Sequence, residues 1–348
     1  MIQSHQSDKI DALIESEMKR LHIPGLSLAV AQDSKILKEA SYGYACVEFR
    51  SLATAKTSYK IASATKSLTA AAVMLLVERG KGNVSDPIVQ HLRDLPDTWK
   101  PVTVAHLLSH TSGLPDVLAR PGEGPVLYES YAEAMQELVR KPVSAPGEHW
   151  VYNQTNYMLL QELIERWSGM PFTDFVEKEI FERLRLNKVV FGSRTVVSDH
   201  AYHYEVDATG TLSRAGYEVA APPFLYAGAG LSMTAGDLMR FAESLRKHEL
   251  LTESTVTSMW QGFRRTDGTT ELPMPVPLPI EYGYGFLLDS RPNHRSAGHP
   301  GADNAAFRIF WEDRLTVVVL HNGSLDIPDL LVYAVAAQYV PALAIPRT

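Results

Sequence analysis

Ser63 and Lys66 stand three residues apart in Ile61-Ala-Ser-Ala-Thr-Lys-Ser-Leu68, so on a helix they share a face and their side chains meet. Behind them runs an apolar segment, Leu68 to Val77, closed by Glu78, Arg79 and Gly80. This pattern predicts a helix buried on most sides, with a hydroxyl and an amine at its N-terminal end. The free N–H groups and partial positive charge there suit a serine that develops negative charge. Ser63 therefore reads as a nucleophile and Lys66 as the group that handles its proton. The same spacing recurs at Ser16–Lys19 and Ser244–Lys247. Both of those pairs are expected on solvated helix faces, opposite Ile10, Leu13, Ile14 and Met18 in one case and Leu238, Phe241 and Leu245 in the other.

A serine nucleophile also needs an oxyanion hole and a second proton route. Tyr152, in Tyr-Asn-Gln ahead of a helix, is a candidate for that route. Two states are open: a Tyr152 phenolate held by the Lys66 ammonium, or a neutral Lys66 that acts first. His299-Pro-Gly-Ala302 is placed between two expected strands. It offers an imidazole beside Gly301, which lets the backbone approach a ligand. The Ala302 N–H can then join the Ser63 N–H as the oxyanion hole.

The elements that must position these groups follow from the periodicity. Ser7 or Asp8 is expected to cap a first helix running to about Arg20. Leu26–Ala31 and Ile36–Tyr44 read as strands around a turn at Gln32–Lys35. The middle of the chain is helical, with capping signals at Thr103, Ser130, Thr234 and Thr252. Alternating prolines at 273, 275, 277 and 279 suggest an extended linker. Three strand-like runs follow, at Tyr282–Leu288, Asn304–Trp311 and Leu315–His321, and Asp326 with Pro328 starts a last helix. The expected fold is therefore α+β: one antiparallel sheet built from residues 1–60 and 282–348, flanked by helices, with a mostly helical region, 61–281, inserted. A site belongs where the two regions meet.

Taken together, Ser63-Ala-Thr-Lys66, Tyr152-Asn-Gln154 and His299-Pro-Gly301 resemble, in order and spacing, the motifs of the penicillin-recognising serine hydrolases. The branch they look like holds class C β-lactamases, DD-peptidases, D-aminopeptidases and related esterases. The resemblance extends through Ile23–Val30, Leu107–Leu114, Tyr152–Tyr157, Gly230–Leu238 and Tyr282–Gly285, and so covers roughly residues 8–340 as one catalytic unit. It implies a β-lactamase/transpeptidase-like fold and acylation of Ser63, with Lys66 and Tyr152 relaying its proton and Tyr152 activating the deacylating water. It further implies that the Ser63 and Ala302 amides hold the oxyanion, that Gln154 and Gly301 contact substrate, and that His299 faces the substrate's carboxylate or acyl end. Two positions depart from the pattern: Gln154 replaces the usual asparagine, and no Lys-Thr-Gly occurs, which disfavours β-lactamase activity. The expected function is a serine hydrolase of small esters or D-amino-acid amides and peptides. The rival is a ligand sensor of the same fold that does not turn over.

The rest of the sequence mainly excludes. A net charge of −7 with 45% hydrophobic residues favours neither nucleic acid nor anionic membrane as a partner. No apolar run reaches the roughly 18 residues a span needs, and no secretory signal is visible. The chain as written is expected to be cytoplasmic, or periplasmic or secreted if a leader is removed. The single cysteine, Cys46, is expected to be a small buried hydrophobe. His106 and His110 have helical spacing for zinc but no third ligand, and Gly-x-Ser-x-Gly is absent, so neither metal nor cofactor is expected. The partner is a small-molecule substrate, and nothing in the sequence specifies an oligomeric state.

Overall fold

The computed structural model describes residues 2–118, 128–141, 143–192, 198–207, 209–215, 221–302, 304–324 and 327–345, with side chains from residue 6 onward. Its frame is a nine-stranded antiparallel sheet. The strands are β1 (Gly25–Gln32), β2 (Lys35–Cys46), β3 (Ser51–Leu52), β4 (Glu271–Leu272), β5 (Ile280–Tyr282), β6 (Leu287–Asp289), β7 (Ser296–Gly301), β8 (Ala305–Phe310) and β9 (Leu315–His321). They lie in the order β3-β2-β1-β9-β8-β7-β6-β5-β4. The first and last strands in sequence thus pair within the sheet, third and fourth in its order, where Leu28 of β1 faces Val319 of β9.

Every residue of β8 and β9 is buried, because helices cover both faces of the sheet. Strands in that position read as near-continuous apolar runs, which is why Leu315–His321 is legible from sequence. The two faces divide by alternation. Leu26, Leu28, Val30, Val317 and Val319 join one cluster, while Ala29, Ala31, Val318 and Leu320 join the other. The first face is covered by α1 (Ile2–Arg20) and the last helix, α7 (Asp329–Tyr339). The second receives α2 (Thr65–Glu78) and α6 (Ala235–Arg246). Between them in sequence lie α3 (Val104–Leu108), α4 (Tyr131–Leu138) and α5 (Gln154–Ser168).

Several boundaries differ from expectation. Helix α1 begins before Ser7 and Asp8, so neither caps it, and the Ser7 hydroxyl instead accepts from Lys38 Nζ at 2.8 Å. The Tyr282–Leu288 run is a hairpin, because Gly283 N–H bonds Phe286 O and Gly285 turns with φ +78°. The proline-rich 273–279 stretch is no linker. It closes the β4–β5 hairpin, in which Leu272 pairs with Ile280, and packs Leu278 into the core. Thr252 precedes a helix as expected, but its hydroxyl donates to Glu78 rather than capping. Ser244 is buried rather than solvated, its hydroxyl donating to Phe241 O at 2.7 Å. Asp326, Pro142 and most of the 116–129 loop lie outside the described residues, as do parts of 186–223.

Candidate active site

Ser63 sits in a single 3-10 turn, Ala62–Ala64, that leads directly into α2. The residue before it, Ala62, is in the left-handed region at φ +42°, a backbone state that non-glycine residues hold only when the surroundings enforce it. Helix α2 is enclosed: Thr65 to Leu76 are all buried. Its polar side chains are answered by main chain from distant segments, Ser67 by Gly285 O (2.7 Å) and Thr69 by Ala227 O (2.8 Å). This explains how hydroxyls survive in a helix buried on every side.

Lys66, on the second residue of α2, is fully buried. Its Nζ lies 2.8 Å from Gly228 O, 3.0 Å from Gln154 Oε1 and 3.4 Å from Ser63 Oγ. The first two neighbours can only accept, whereas the serine hydroxyl can also donate. A neutral amine fits this arrangement: two N–H bonds go to the carbonyl oxygens, and the lone pair faces the Ser63 proton. Burial drives the lysine toward that state, down to about 7, with the Asp116 carboxylate opposing. Burial also raises the Tyr152 phenol well above its usual range, with the Ser63 hydroxyl opposing. The electrostatics thus favour neutral Lys66 over a Tyr152 phenolate. Lys66 Nζ lies 4.7 Å from the Tyr152 ring centroid, and among the described residues the phenol oxygen closes no hydrogen bond of regular geometry.

Tyr152 and Gln154 flank Asn153, the N-cap of α5, whose side chain accepts from Asn156 N–H at 3.0 Å. The cap aims Gln154 back at Lys66, and the Gln154 N–H is held by Asp116 at 3.1 Å. Gly228 makes this approach possible, since a Cβ there would stand 2.4 Å from Gln154 Oε1. The longer glutamine side chain reaches Lys66 and behaves as part of its cradle.

His299 lies inside strand β7 rather than in a loop. Residues 296–301 read Ser-Ala-Gly-His-Pro-Gly, too small and proline-interrupted to register as a strand. Pro300 is tolerated because the β6–β7 pairing ends at Gly298, which leaves this end of β7 with an open edge. The imidazole is buried. Its Nδ1 lies 2.6 Å from Pro300 O, which can only accept, so Nδ1 carries the proton and Nε2 accepts from the Tyr282 hydroxyl at 3.0 Å. Burial lowers its pKa to about 3, with Lys66 adding to the effect. His299 therefore brings a neutral ring to the site.

Gly301 presses the end of β7 onto the Ser63 segment, where a Cβ would lie 2.1 Å from Ile61 O. With its amide oriented to suit its neighbours, Asn304 donates to Ala302 O (2.8 Å) and Lys60 O (3.3 Å), tying the two segments together. Ser63, Tyr152, His299, Gly301 and Ala302 all line one cavity of about 390 Å³, with Lys66 and Gln154 behind the serine. Sequence reasoning missed Gly228, Asp116 and Asn304, none of which carries a local signal. It also left unused His110, whose ring lies 4.3 Å from that of Tyr152. His110 accepts from Asn156 Nδ2 at 3.0 Å, while His106 bonds Thr103, so the two histidines serve different partners.

Residues 10–339 match the family described as Beta-lactamase, and the chain belongs to that family. Its fold is the β-lactamase/transpeptidase-like fold of penicillin-binding proteins and their relatives. Among these, it is 28% identical over 342 residues to Penicillin-binding protein 4* of Bacillus subtilis (strain 168), a match covering 91% of this chain and 72% of that one. The octameric penicillin-binding protein homologue from Pyrococcus abyssi superposes with a TM-score of 0.80 at 27% identity, over 97% of this chain and 77% of that chain. EstCE1, a hydrolase with promiscuous acyltransferase activity, shares the fold with a TM-score of 0.82 at 19% identity, over 97% and 99% of the two chains. Among the described residues no helix is long and apolar enough to cross a membrane.

Proposed function

We propose that this protein is a serine hydrolase that passes through an acyl-enzyme on Ser63, acting on small esters or D-amino-acid amides and peptides. The observation that carries the reading is the Lys66 amine, buried, with two carbonyl acceptors and the Ser63 hydroxyl as its three neighbours. In the acylation step the Ser63 proton moves to Lys66 Nζ as Oγ attacks the substrate carbonyl, and the oxyanion settles on the Ser63 and Ala302 N–H groups. Tyr152, protonated at neutral pH, delivers a proton to the leaving alcohol or amine and regains one through Lys66. Water then attacks the acyl carbon with the same relay reversed.

The cavity walls favour the uncharged end of this substrate range. Trp150, Met274, Leu278, Ile280 and Leu287 make much of the lining, and His299 is neutral there. A β-lactam's carboxylate gains no cation from position 299, which supports the expectation of weak β-lactamase activity. The test is a fluorophosphonate probe read by intact mass. Wild type should gain one adduct, mapped to Ser63, and Ser63→Ala should gain none while losing ester turnover by several orders of magnitude. Full turnover in Ser63→Ala would overturn the assignment.

A further inference from the structure

The cavity that opens at Ser63 is larger than the chemistry needs. At about 390 Å³ it falls within the roughly 300–1,000 Å³ range of pockets that enclose a drug-sized ligand, and an acetyl or alanyl group fills a small part of it. Beyond Ser63 and β7 its wall comes from two segments. The β4–β5 hairpin supplies Met274, Val276 and Leu278, and the segment around α7 supplies Ile327, Leu330 and Ile345. Met274, Val276, Leu278 and Ile345 are backed by the core of that sheet face. Leu330, on the first turn of α7, is 44% exposed.

This wall offers little to a polar ligand. Prolines at 273, 275, 277 and 279 strip the hairpin of donors, because a proline carries no N–H. Between them, the Met274 N–H bonds Leu272 O at 2.9 Å and the Leu278 N–H bonds Val276 O at 2.8 Å. Two tyrosine hydroxyls of the wall are likewise engaged, that of Tyr282 with His299 and that of Tyr333 with Asp289, each at 3.0 Å. Arg308 and Asp329 also line the cavity, but they bond each other at 2.7 Å and present no net charge. A peptide needs partners along its main chain, and a free amine needs a counter-charge. A hydrocarbon needs neither.

We infer that this cavity is a sleeve for an apolar arm several carbons long that runs past Leu330, so that the substrates are esters carrying such an arm rather than D-amino-acid amides or peptides. The inference rests on the Ser63 reading for the reaction, not for the binding of the arm. The acyl half and the alcohol half of an ester can each supply the same hydrocarbon. Each methylene that leaves water for this wall strengthens binding about three- to fourfold until the cavity is full.

Two series of esters test this. One lengthens the acyl arm from acetyl to decanoyl on a fixed aryl alcohol, and the other lengthens the alcohol of an acetate by the same steps. Binding to Ser63→Ala is measured by calorimetry below the micellar concentration of each ester, and kcat/KM is measured in wild type. In one series both should rise about three- to fourfold per methylene over several steps and then level, and that series identifies the half that enters the sleeve. A terminal ammonium on the same arm should abolish the gain. Leu330→Asp puts a carboxylate at a position already open to solvent and near a helix N-terminus, where it is tolerated. It should lower the ratio of long-arm to short-arm binding by about tenfold or more, whereas Leu330→Met should preserve the ratio. Affinity flat or falling with length in both series would overturn the inference. So would an unchanged ratio in folded Leu330→Asp, since the arm would then lie elsewhere. A rising binding series without turnover would sink the hydrolase reading and leave the sleeve standing, and turnover of acetyl esters with no rise would do the reverse.

Discussion

Replacing Lys66 with methionine tests the neutral-amine reading without any substrate. Burial takes the lysine from its ordinary 10.5 to about 7, which at 1.36 kcal/mol per tenfold corresponds to roughly 5 kcal/mol of differential stability. The sign follows from proton counting. Between pH 7 and 10.5 the unfolded chain holds a proton on this lysine that the folded chain has released, so stability rises with pH in that window. Below pH 7 both states are protonated and the contribution is flat at its least favourable level. Methionine is close in shape and does not titrate, so the difference in unfolding free energy between wild type and Lys66→Met isolates the lysine, and buried tyrosines common to both cancel. The difference should shift by about 2 kcal/mol in favour of wild type between pH 7 and pH 9, measured by urea unfolding at several pH values. The same group should give wild-type kcat/KM an acid limb near pH 7, since the base must be deprotonated. A difference flat across that range, or one that moves against wild type, would refute a depressed lysine and return the phenolate state to consideration.

Two further outcomes follow from the cradle around this amine. In Gly228→Ala the new Cβ meets Gln154 Oε1, the far end of a flexible side chain. Gln154 should swing away at a stability cost under about 2 kcal/mol, while kcat/KM falls by about tenfold to a hundredfold from the misplaced amine. A large drop in Tm with unchanged rate would contradict that division. In Tyr282→Phe the His299 Nε2 loses its donor, which should cost about 1–3 kcal/mol. Because the ring is neutral down to about 3, that cost should be constant from pH 5 to 8 in urea unfolding, and a cost that changes sharply near pH 6.5 would show that His299 titrates there.

The sequence announces the parts of this protein whose environment is uniform. Strand β9 is buried on both faces and composed accordingly, and α2 is apolar throughout its body, so both can be read from composition. Strand β7 is hidden because its residues are chosen for what approaches them. Gly298 admits the Arg308 side chain, Gly301 admits Ile61 O, and Pro300 sits where no neighbour needs its N–H. The hairpin at Tyr282–Leu288 reads as one strand because its turn residues, Gly283 and Gly285, alternate with aromatics as a strand would. Within the site, Ser63, Lys66 and Tyr152 carry side-chain chemistry and stand out. Gly228 contributes only a carbonyl and the lack of a Cβ, and Asp116 acts from a loop, so their proximity to Lys66 is a product of tertiary structure. At position 299 residue type leaves the charge of the imidazole open, and burial removes it.

The pairing of β1 with β9 bears on how this protein comes alive. Leu26 and His321 are register partners across nearly the whole length of the polypeptide, and the carbonyls that hold α2 come from chain segments synthesised long after it. Loop closure on that scale is slow. A nascent or truncated chain that has made Ser63 and Lys66 but not the closing strands holds the reagents without the reactor, so recovery of activity during refolding clocks the joining of the two ends.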